Sequence, residues 1–148
     1  IDPQKILYSW ANGHAGLLLF CSRMTRPPGR DGAPDFGLLD HQFCPRFAYG
    51  SVAALMGTLQ GASFRQTLVE SGEDHLYLFA RGDDLIVAGF TTGGDPVTRQ
   101  IRCDASEIIR VDEMGNAEAL PPASEFPLLL DGYPRYWVLR GAETVRLP

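Results

Sequence analysis

Apolar residues follow a helical spacing in the first third of the chain and a strand spacing beyond it. Asp2-Pro3 has the form of an N-cap followed by proline at the first helical position. Ile6, Leu7 and Trp10 then fall on one helical face, and Gly13 can close the helix. The run GLLLFC at 16–21 is continuously apolar, which predicts a strand buried on both faces, as in parallel sheets. Residues 23–40 hold Pro27, Pro28, Gly29, Asp31, Gly32, Pro34 and Gly37 and predict a long loop. A second helix is predicted over 45–61. It starts at Pro45, carries Phe47, Val52, Leu55, Met56 and Leu59 as its apolar stripe, and ends at Gly61.

Past Gly61 the period shortens. Strands are predicted at 64–70, 75–81, 84–92, 98–103, 107–112, 117–120, 127–130 and 135–140. Arg81-Gly82-Asp83-Asp84 and Met114-Gly115-Asn116 sit where tight hairpin turns belong, and Gly93-Gly94-Asp95-Pro96 marks a looser one. Short strands at this spacing predict an antiparallel β-sandwich. The predicted fold is mainly β: a sandwich over 63–148, preceded by a short α-β-α stub over 1–62.

Composition adds bounds. The chain has 148 residues, 45% hydrophobic and 21% charged, enough to bury a core. The formal net charge of −5 speaks against nucleic acid and against an anionic membrane surface as partners. No apolar run approaches the roughly 18 residues of a membrane span, so a soluble chain is expected, in a compartment the sequence does not specify. The chain opens almost inside a helix, which suggests a fragment of something longer.

Candidate chemistry is sparse. The cysteines Cys21, Cys44 and Cys103 and the histidines His14, His41 and His75 show no paired metal-ligand spacing, so neither a metal nor a cofactor is implied. An odd cysteine count leaves at least one free thiol, and buried, reduced thiols are the expectation. His41 and Cys44 could touch across a loop, but no nucleophile signature surrounds them. Glu73-Asp74, Asp83-Asp84 and Asp112-Glu113 are the closest carboxylate couples. Neighbours in a strand point to opposite faces, a poor geometry for one substrate, so a structural or solvated role is expected for them.

Five phrases, taken in order, resemble a known pattern. They are GLLLFCSR at 16–23, FGLLD at 36–40, PRFAYGSVAALMGTLQG at 45–61, IIRVDEMG at 108–115 and YPRYWVL at 133–139. Together they look like the C-terminal region of a (β/α)8-barrel retaining glycoside hydrolase: the last barrel strand and helix, then an accessory β-sandwich. The resemblance implies that 3–13 corresponds to the seventh barrel helix, 16–21 to the eighth strand and 45–61 to the eighth helix. A whole barrel needs about 250 residues, so the catalytic glutamates of such a protein would precede Ile1, and no residue here is assigned a catalytic role. It further implies that Ser22, Arg23 and Met24, at the C-terminal end of the buried strand, line the rim of a sugar site. The partner would be the rest of the parent polypeptide. An independent carbohydrate-binding module is the alternative, with Tyr136 and Trp137 as sugar-stacking candidates, although alternation allows only one of them to face a given side. A protein-interaction module that self-associates through Leu17–Phe20 is a further alternative.

Overall fold

The computed structural model describes residues 3–14, 37–40 and 42–148. The expected strand at 16–21 and most of the loop at 23–40 lie outside them. Among the described residues, two helices come first, α1 (Pro3–Ala11) and α2 (Phe47–Leu59). Nine strands follow: β1 (Ser63–Ser71), β2 (Asp74–Arg81), β3 (Asp84–Thr91), β4 (Val97–Cys103), β5 (Glu107–Val111), β6 (Ala117–Leu120), β7 (Glu125–Leu130), β8 (Arg135–Arg140) and β9 (Val145–Arg146). They form a six-stranded sheet, β1-β2-β3-β8-β5-β6, and a three-stranded sheet, β7-β4-β9. Each pairing between these strands is antiparallel. The expectation of a mainly β fold, antiparallel and preceded by short helices, is met.

The layers follow from strand alternation. On one face of the large sheet, Tyr77, Phe79, Ile86, Ala88, Phe90, Tyr136 and Val138 pack under Ile6, Leu7 and Ala11 of α1 and Leu55 and Leu59 of α2. On the other face, Leu76, Leu78, Val87, Trp137 and Leu139 meet Ile101, Phe126, Leu128, Leu130 and Val145 across the sandwich. Central strands β2, β3 and β8 are thus covered on both sides, and they read as almost unbroken apolar runs. The change from helix to strand falls between Leu59 and Ser63, yet the helices share a core with the sheet behind them.

Turn chemistry explains the joints. Gly13 and Gly61 lie past the two helices with φ of 77° and 72°, a conformation that glycine adopts without strain. Gly82 and Gly115 turn the β2–β3 and β5–β6 hairpins with φ of 58° and 87°.

Several expectations are corrected. Pro45 does not start α2. It bridges Leu39, and the helix begins at Phe47. Phe47 and Met56 were expected on the buried stripe but are 47% and 51% exposed. The buried stripe is instead Ser51, Ala54, Leu55 and Leu59, a face turned towards the sheet. Strand β7 starts at Glu125, ahead of Pro127; the proline is tolerated because β7 is an edge strand. Strand β9, only two residues long, was not anticipated.

Candidate functional site

The hairpin that joins β5 to β6 ties α2 to the sandwich. Asp112 folds the turn by accepting hydrogen bonds from the amides of Met114 and Asn116, each 2.9 Å away, and from the Asn116 side chain at 2.8 Å. Partial burial opposes ionisation of Asp112. These bonds and the nearby Arg135 charge outweigh it, so the carboxyl stays below its usual range. The turn pushes Met114 over α2 at Gly50, where a Cβ would come within 2.5 Å of its methyl carbon, and sets Gly115 beside Ala54. Arg135, at the start of β8, holds Asp131 through Nε at 2.9 Å and reaches Glu113 at 3.5 Å. One guanidinium therefore joins the β7–β8 loop to the β5–β6 hairpin.

The carboxylate couples separate in the same way. Asp74 takes both Nε (3.0 Å) and Nη2 of Arg99, Asp84 takes Arg140 at 3.1 Å, and Asp112 and Glu113 serve the hairpin. The hydrogen bond from Arg99, helped by Thr91, holds Asp74 below the ordinary carboxylate range against the opposing effect of burial. Asp112 and Glu113 both face the charge of Arg135, which also pairs with Asp131. Among the described residues, no group of three or more His, Cys, Asp or Glu could hold a metal ion, and no helix is long and apolar enough to cross a membrane. Cys44 is exposed and Cys103 buried, both as free thiols.

Among the described residues, two concavities border the helices. The first, about 540 Å³, lies between α1 and the end of β3 and is walled by Tyr8, His75 and Phe90 with Lys5, Ser9 and Thr92 on its rim. His75 stacks on Phe90 with centroids 4.7 Å apart, and Tyr8 meets it edge-on at 6.2 Å. The second, about 310 Å³, opens at the N-terminus of α2 against Tyr133, whose ring meets that of Phe47 at 4.9 Å. Neither was singled out in the sequence. Tyr8, His75 and Phe90 come from separate elements, so no linear signal marks them; Ser51 looked like an ordinary helix residue.

Ser22, Arg23 and Met24 lie outside the described residues, as do Cys21 and His41. Tyr136 and Trp137 are 0% and 1% exposed. As alternation requires, they face opposite sides, Tyr136 under the helices and Trp137 between the sheets. Both rings are covered, so neither can stack on a sugar from solvent. The continuous burial of β8 overturns that assignment.

No family model and no curated protein matches the chain. Solved structures do. A family 39 glycoside hydrolase from the gut symbiont Bacteroides cellulosilyticus WH2 superposes with a TM-score of 0.62 at 23% identity, over 72% of this chain and 22% of that one. A GH30 endoxylanase from Clostridium papyrosolvens C71 superposes with a TM-score of 0.55 at 12% identity, over 69% of this chain and 30% of that one. The matched region is thus under a third of either protein. The chain shares its fold with a part of each of these two glycoside hydrolases.

Proposed function

We propose that this chain is the non-catalytic C-terminal region of a glycoside-hydrolase-type protein, bracing a barrel that lies upstream of Ile1. The observation that carries the reading is the fold likeness, which spans most of this chain but only 22% and 30% of the two hydrolases. The outer side of α2 agrees with it. Tyr49, Ala53, Met56 and Gly57 are exposed there without a charge among them, a surface suited to cover by further polypeptide. In this reading residues 1–62 complete the barrel and 63–148 form the accessory domain, joined by the Met114 hairpin. Ser22, Arg23 and Met24 extend the carbohydrate rim, and the partner is the rest of the parent chain rather than a second copy. The assay is hydrolysis of a panel of aryl glycosides. The 148-residue chain is expected to turn over none of them, while the native species isolated from its source cleaves at least one. Turnover by the isolated chain would end the non-catalytic reading.

The groove of Tyr8, His75 and Phe90 favours a second reading, an independent carbohydrate-binding module, because aromatic walls with polar rims suit sugar rings. Retention of the isolated chain on a neutral glycan, lost in Tyr8→Ala, would favour it. No retention on any glycan would remove it.

A further inference from the structure

We propose that the N-terminus of α2 is a binding site for a compact oxyanion, a carboxylate or phosphate group carried by a small ligand. The inference rests on this chain's own residues and holds whether or not the protein is a hydrolase fragment. Helix α2 is 13 residues long, and its N-cap residue, Arg46, makes no side-chain cap. The first N–H groups of a helix have no acceptor within it and carry the positive end of its dipole. Here Phe47 and Ala48, the first two residues of α2, line the 310 Å³ groove together with Arg46. Both residues stand where a helix binds anions.

Ser51 supplies the independent observation. It lines the same groove one turn further along, is only 1% exposed, and its Oγ has no hydrogen-bond partner. A buried hydroxyl left without a partner costs free energy, and a serine inside a helix could bond back to the preceding turn instead. An anion at the helix end would give this hydroxyl an acceptor. The groove's other wall is Tyr133, about half exposed, with Phe47 edge-on to it, so the body of a ligand has an apolar surface beside its charged group. Asp131, the acid nearest in sequence to Tyr133, does not oppose the site's charge in full, because Arg135 holds its carboxylate at 2.9 Å.

The test is an amide-shift titration of the 148-residue chain by NMR, with sodium acetate and inorganic phosphate as separate probes at constant ionic strength. Saturable shifts centred on the Phe47 and Ala48 amides are expected. Tighter binding of acetate assigns a carboxylate ligand, and tighter binding of phosphate assigns a phosphate ligand. Ser51→Ala should weaken the better probe about tenfold, the worth of one hydrogen bond to a charged group. It should leave the melting temperature unchanged or higher, since the hydroxyl makes no bond. Phe47→Pro is the second variant. Arg46, at φ −95° and ψ 168°, already has the extended backbone that precedes a proline, so the helix is retained while one amide donor is lost. It too should weaken binding. Shifts that do not saturate with either probe, or affinities unchanged in both variants, would overturn the proposal.

Discussion

Gly89→Ala should unfold this protein far more easily than its single methyl group suggests. Gly89 lies in β3, between Leu76 of β2 and Arg135 of β8 in the ladder. A Cβ built there stands 2.5 Å from Leu76 Cδ1, 3.0 Å from Leu130 Cδ2 and 2.9 Å from the carbonyl oxygen of His75, where ordinary contact begins at 3.4 Å. The leucine methyls can turn aside, but the His75 carbonyl belongs to the neighbouring strand's backbone. Relief therefore means shifting β2 against β3 in the centre of the large sheet. Overpacking of a well-packed core costs about 1–3 kcal/mol, and the backbone term places this case near the upper end, about 2–3 kcal/mol. For a chain of this size that corresponds to a fall in melting temperature of roughly 5–10 °C. Thermal and urea denaturation followed by circular dichroism measure it. Gly57→Ala is the matched control. A Cβ at Gly57 meets nothing within 4 Å on an exposed helix position, so alanine should stabilise the protein by about 0.5–1 kcal/mol. A Gly89→Ala protein as stable as the parent would refute the close approach of β2, β3 and β7 on which the sandwich core rests.

Three further outcomes follow from the same packing. Asp74 titrates below its unfolded range, so its contribution is present above about pH 4, the unfolded aspartate value, and is lost as pH falls through the folded value. Asp74→Asn should be less stable than the parent at pH 7 and converge with it near pH 2 in urea titrations; parallel pH profiles would show the Arg99 pair to be inert. The Tyr136 hydroxyl is buried without a partner, and burial pushes its phenol up in pKa. Tyr136→Phe should leave stability unchanged or raise it by up to about 1 kcal/mol; a loss larger than that means the hydroxyl has a partner in solution. Truncation of the same ring in Tyr136→Ala should cost about 3–5 kcal/mol, as for a large core aromatic, measured by urea unfolding.

Strands β2, β3, β5 and β8 were legible because three signals agreed at each: an apolar run, β-branched or aromatic residues, and a glycine in the turn that follows. Gly82 and Gly115 placed their hairpins correctly for this reason. Pro127 misled because proline argues against a central strand, and only the sheet order reveals that β7 is an edge. Helix α2 was placed correctly but rotated wrongly. Its residues are apolar on most sides, so the sequence holds no contrast to say which side meets the sheet, and Met56 and Phe47 look as buried as Leu55. The two faces of β8 carry the same lesson. YWVL is apolar on both sides because helices cover one face and the small sheet the other, in a sheet whose strand pairs are all antiparallel. Continuous apolar runs thus report two covered faces rather than parallel pairing. The grooves were illegible for a different reason. His75 and Phe90 become neighbours only through the β2–β3 register, and Ser51 becomes notable only because its hydroxyl is buried without a partner.

The direct test of the account is the mass of the native protein in its source, detected with an antibody raised against this chain. The account predicts a species larger than the 16.2 kDa of these residues by most of a barrel, the whole of which takes roughly 250 residues. A native species of about 16 kDa would contradict it and leave the aromatic groove as the place to look for function.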